Sequence, residues 1–149
     1  MIIIGTDHAG YDMKERIKQM LENENYQYID ISKEYIESDD YTDVVAQICE
    51  RMGKDDKAIM VCGTGIGSAI MANKFAGIRA AICYDEYTAK FTRLHNDANM
   101  LCLGGRTVLS EDDDKLKRIV KIFLDTEFSF EERHIKRLKK IEEVEKRRE

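Results

Sequence analysis

Cys62-Gly63-Thr64-Gly65-Ile66-Gly67-Ser68 is the segment of this chain best suited to chemistry. Its glycines let the main chain turn sharply and point several N–H groups into one space. Such a nest, placed where a strand gives way to a helix, attracts anions. A thiol there ionises more readily than a free cysteine. The same residues also suit a plain tight connection, with Cys62 a small core side chain. Two other uses fail. The dinucleotide fingerprint G-x-G-x-x-G has a longer glycine spacing, sits on the first strand and needs an acid about 20 residues later. The first strand here ends in Gly5-Thr6-Asp7-His8 instead. A cysteine phosphatase loop would end in arginine, and position 68 is serine.

Three further groups carry usable side chains. Asp7 and His8 follow the first apolar run, although Asp7 also suits a helix cap. Within Leu94-His95-Asn96-Asp97-Ala98-Asn99, His95 offers a proton and Asn96 a fixed hydrogen-bonding group. Asp97 and Asn99 read as turn and cap residues, and His95 alone also fits a structural histidine. Arg133 and Arg137 are four apart and share a helix face. Paired guanidinium forks suit a phosphate, but arginines are common on helix surfaces. Arg106, after Gly104-Gly105, is a third candidate cation. No Ser-His-Asp order, H-E-x-x-H motif or metal-ligand spacing is present.

The elements that must position these groups alternate along the chain. Met1–Thr6, Gln27–Ser32, Lys57–Cys62, Ile78–Cys83 and Asn99–Gly104 read as short strands. They are apolar without strict alternation, as strands buried on both faces are. Helical periods separate them: Met13, Ile17, Met20 and Leu21; Val44, Val45, Ile48 and Met52; Leu116, Ile119, Val120 and Phe123. Alternation of this kind implies right-handed βαβ units in a five-stranded parallel sheet, an α/β Rossmann-like sandwich. Ligands bind beyond the carboxyl ends of such strands. Asp7 and His8, the Cys62 loop and Arg106 all fall there. The charged tail from Glu131 to Glu149 carries a stripe of Ile135, Leu138, Ile141 and Val144. It reads as a solvated helix with one docking edge.

At 149 residues the chain fits one domain, 1–149. A domain of that size buries roughly 70% of its unfolded surface and needs no disulfide or metal to hold a core. The net charge of -5 argues against a nucleic-acid partner. The four cysteines form no C-x-x-C pair. No signal segment opens the chain, and no apolar run nears the ~20 residues of a membrane span. The expected compartment is therefore the cytoplasm, with reduced thiols.

The chain resembles the type B ribose-5-phosphate isomerases, whose family also contains galactose-6-phosphate isomerase subunits. The resemblance runs nearly end to end. It rests on Gly5–Gly10, Asp40-Tyr41, Cys62–Gly67, Ala72-Asn73-Lys74, Gly77-Ile78-Arg79-Ala80, His95–Asn99, Arg133-His134 and Arg137. It implies an aldose–ketose isomerase without metal or cofactor, interconverting ribose 5-phosphate and ribulose 5-phosphate through an enediolate. Cys62 resembles the family's base and His95 its ring-opening acid. Asp7, His8, Tyr41, Gly63, Thr64, Gly65, Ile66, Gly67, Asn96, Arg106, Arg133 and Arg137 resemble its substrate-binding residues. The resemblance also implies a homodimer whose sites are shared between subunits, with the terminal helix on the partner and further pairing to a tetramer left open.

The chain departs from the family's pattern at Thr42 and Phe75-Ala76, where prolines are common. Some relatives place a basic glutamate just past the glycine loop. Ser68 stands there, which favours Cys62. Two alternatives remain: the same reaction on allose or galactose 6-phosphate, and a non-catalytic sugar-phosphate sensor. Galactose-type relatives tend to lack the histidine present here as His95. A sensor would need neither thiol nor acid.

Overall fold

The computed structural model describes residues 1–147. Five strands form, β1 (Ile2–Thr6), β2 (Tyr28–Asp30), β3 (Lys57–Cys62), β4 (Ala80–Ile82) and β5 (Met100–Gly104). They pair in parallel in the order β2-β1-β3-β5-β4. The helices are α1 (Tyr11–Asn23), α2 (Tyr41–Arg51), α3 (Ile66–Ala72), α4 (Glu86–Asn96), α5 (Asp113–Asp125) and α6 (Glu132–Lys146). This is the expected Rossmann-like α/β architecture.

The strand sequences lack alternation because both faces are covered. Ile59 and Val61 enter the core shared with α1, α4 and α5, whereas Ala58, Met60 and Cys62 enter the core shared with α2 and α3. On α5 the periodic residues Leu116, Ile119, Val120 and Phe123 are all buried. Each such side chain contributes about 1.5–3 kcal/mol by leaving water.

Two strands are shorter than their apolar runs. β2 and β4 lie at the sheet edges and pair on one side only. Ahead of β4, Asn99 draws the chain aside: its side-chain oxygen accepts from Arg79 N–H at 2.8 Å and its amide donates to the Gly77 carbonyl.

The order of strands reverses between β1 and β3, and this fixes the crevice. The chain leaves β1 at Asp7 and β3 at Gly63, on neighbouring carboxyl ends. Helix α4 then carries the chain back. It starts after β4 with Asp85 capping the Thr88 N–H, and ends at Asp97 in the left-handed region (φ 45°). Residues 95 and 96 are thereby delivered to the amino ends of the strands. Helix α6 packs on α4, burying His134 and Leu138 against its own chain. The rest of the stripe divides: Ile141 and Val144 stay exposed.

Candidate active site

Cys62 closes β3 at the carboxyl edge, its side chain facing the α2–α3 layer. The Gly65 N–H donates to its Sγ at 3.2 Å. That contact needs Gly65 at φ +81°, and a Cβ there would press within 3.2 Å of the β5 backbone. Gly67 is required differently: a Cβ would meet the Tyr41 ring at 2.6 Å. Tyr41, at the first turn of α2, therefore lies directly on the glycine loop. The loop after β5 is locked to it by Gly105 N–H on the Cys62 carbonyl (2.7 Å) and Arg106 N–H on the Gly63 carbonyl (2.9 Å). The Arg106 side chain is exposed above this junction. Thr64 turns its hydroxyl inward on the loop, accepting the Ile66 N–H.

Asp7 caps the short 3-10 turn His8–Gly10 through the Ala9 N–H at 3.0 Å, the role its position suggests. Burial pushes its carboxyl above the usual aspartate range, against the pull of that N–H. His8 is held by a residue that spacing did not mark. Asp39 Oδ1 accepts the His8 main-chain N–H at 2.7 Å and lies 3.0 Å from Nδ1. Ser38 presents it from the left-handed region (φ 58°).

The remaining candidates gather elsewhere. His95 and Asn96 occupy the last turn of α4, at the amino edge of the sheet. Arg133 and Arg137 lie on the exposed side of the first turns of α6. Arg133 leans on Glu131 at 2.8 Å. The His95 ring sits between Phe91 (centroids 4.9 Å apart) and His134 (4.2 Å). A five-residue strand spans about 16 Å, so within one chain His95 and Cys62 stand a sheet's length apart. The arrangement divides the candidates into a carboxyl-edge half (Asp7, His8, Tyr41, Cys62, Gly63–Gly67, Arg106) and an amino-edge half (His95, Asn96, Arg133, Arg137).

A groove of about 840 Å³ borders the amino-edge half, with Asn96, Phe75, Ala80, Ile141 and Val144 on its walls. Among the described residues, no three His, Cys, Asp or Glu side chains converge as metal ligands. No helix there is long and apolar enough to cross a membrane.

The sequence pattern of the family described as Ribose/Galactose Isomerase matches residues 2–141. The chain belongs to the ribose/galactose isomerase family. Ribose-5-phosphate isomerase B of Escherichia coli is 38% identical over 149 residues, 99% of this chain and 97% of that protein. The structure of ribose-5-phosphate isomerase B from Clostridium thermocellum superposes with a TM-score of 0.91 at 43% identity, covering 99% of each chain. D-erythrulose-4-phosphate isomerase of Pectobacterium atrosepticum is 38% identical over 130 residues, 85% of this chain and 84% of its own length. Membership makes this family member an aldose–ketose isomerase of sugar phosphates.

Proposed function

We propose that the chain interconverts ribose 5-phosphate and ribulose 5-phosphate, with Cys62 as base and His95 as ring-opening acid. The observation that carries this reading is the buried Cys62 sulfur at the carboxyl end of β3, with the Gly65 N–H already aimed at it. Charge on sulfur there has a main-chain donor waiting. The other thiols are unsuited. Burial pushes Cys49 and Cys83 up to about 11 and Cys102 higher still, so they stay protonated in the core.

His95 protonates the ring oxygen, the C1–O4 bond breaks, and the C1 hydroxyl gives up its proton to form the aldehyde. Cys62 removes the C2 proton as the carbonyl electrons move onto O1. Main-chain N–H groups of the Gly63–Gly67 loop and Asn96 hold the enediolate. The proton returns to C1, C2 becomes the carbonyl, and the O2 proton passes to O1. Asp7 faces the sugar hydroxyls, and Tyr41 walls the pocket. His8, Arg106, Arg133 and Arg137 hold the phosphate, and this remote binding aligns the reacting carbons.

Two copies make each site in this reading, the carboxyl edge of one meeting the amino edge of the other. Its support is the division of candidates described above, together with exposed apolar residues along the seam. Ile66 and Ile70 on α3, Tyr84 after β4 and Tyr87 in the first turn of α4 are all exposed. A two-fold contact of this kind yields two equal sites.

A coupled assay with ribose 5-phosphate tests the reading. Cys62→Ala should keep the fold and lower kcat by about 10²–10⁴-fold. Unchanged turnover would remove Cys62 from the base role. Similarity to the erythrulose-phosphate enzyme favours parallel assays on D-erythrose 4-phosphate, and allose 6-phosphate probes the longer end of the range. Faster turnover of either would move the assignment to that chain length.

A further inference from the structure

Two imidazoles meet at the amino edge, and their surroundings are opposite. His95 is half-exposed and lies in the last turn of α4, where unpaired carbonyls attract a cation. His134 is 1% exposed and lies in the first turn of α6, where unpaired N–H groups repel one. The rings are 4.2 Å apart between centroids and tilted by 36°. Ser129 clamps the buried ring, its Oγ 2.6 Å from Nδ1 and itself accepting the Glu131 N–H. Among the described residues, Nε2 of His134 is buried without a hydrogen-bond partner. A charged ring would put an N–H there with no acceptor, which is costly. Burial, then Arg133 and His95, hold His134 below the usual histidine range, and Arg137 adds to them. Glu131 acts the other way and is outweighed. Phe128 and Ser129, from the segment before α6, bring no charge.

We propose that His134 is a positioning residue for the ring-opening acid: stacked against His95 and clamped by Ser129, it stays neutral and leaves the proton on His95. This rests on the assignment of His95 as that acid. Two touching imidazoles do not both ionise readily. The neutral ring offers the charged one an aromatic face and fixes its plane together with Phe91.

The chain holds three histidines, so imidazole NMR of the substrate-free protein resolves each. His134 should remain neutral through the pH range in which His95 gains its proton. Ser129→Ala and His134→Ala should move the His95 midpoint and lower turnover of ribose 5-phosphate about tenfold. D-erythrose 4-phosphate has O4 blocked by phosphate and forms no furanose. Its turnover should fall far less. His134→Phe, which keeps the aromatic face, should regain most of the loss. The proposal is overturned if the two rings titrate together, if the His95 midpoint is the same in all variants, or if both sugars lose equally. Should His134→Ala fail to fold, Ser129→Ala decides. The NMR readout needs no turnover, so it judges the ring pair even if His95 proves not to open the sugar.

Discussion

Asp39 takes two bonds from His8, one from the main chain and one from the ring, and so leaves only Nε2 free for a ligand. Replacing Asp39 by alanine should let the ring turn. The expected result is a KM for ribose 5-phosphate raised about fivefold with kcat little changed, the mark of a binding contact. A fall in kcat alone would place Asp39 elsewhere in the chemistry. The thiols give a second check at this scale. Brief iodoacetamide treatment of the native protein at neutral pH should modify Cys62 and abolish activity, while Cys49, Cys83 and Cys102 stay intact by mass spectrometry. Preferential labelling of Cys49 would count against the base assignment. The placements of Cys62 and His8 were readable because Cys62 ends β3 before a glycine and His8 follows β1 beside an aspartate. Asp39 was not, because its meeting with His8 depends on Ser38 adopting a positive φ, and nothing in a serine announces that.

The turns after β1 and β2 rest on a buried ion pair contributed by α1. Lys14 lies beside the apolar stripe of that helix yet is fully buried, its Nζ 2.9 Å from Asp30 Oδ2 and 2.7 Å from the Ser32 carbonyl. Ser32 in turn accepts the Thr6 N–H, just ahead of Asp7. Lys14→Met should cost up to about 3–5 kcal/mol in urea unfolding, because it leaves the buried Asp30 carboxylate with the more exposed Lys18 as its cation. The pair also sets an acid limit. Burial alone would raise Asp30, but the bonds from Lys14, Ser32 N–H and Lys18 overcome it and hold the carboxyl below its ordinary range. The unfolded chain therefore takes up this proton first. The stabilisation is complete above about pH 4 and is lost as pH falls through the folded value. Lys14→Met should weaken that acid dependence, since Lys18 and the Ser32 N–H remain on Asp30, and an unchanged pH profile would contradict the assignment. The helical periods located α1, α2 and α5 because one face of each meets the sheet. They missed Lys14 because its long stem crosses to β2, a contact no period encodes.

One chain supplies different halves of two sites in the proposed assembly, and mixing experiments expose this. Cys62→Ala and His95→Asn chains are each expected to be nearly inactive alone. Unfolded together and refolded as equal partners, half the dimers would be mixed. Each mixed dimer would hold one intact site, restoring about a quarter of full activity by random pairing across a two-fold axis. No recovery would mean that Cys62 and His95 do not meet across copies. The resemblance implied sharing, and the topology supports it: a helix that returns from a carboxyl end must deliver its last residues to the opposite edge. The tail helix was legible only in part, since Leu138 turns toward its own α4 while Ile141 and Val144 do not. The opposed edges carry one further consequence. A sugar phosphate gripped by both copies acts as a cross-link, so saturating substrate should tighten self-association by mass action, and specific activity should fall on dilution sooner when the sugar is scarce than when it is abundant.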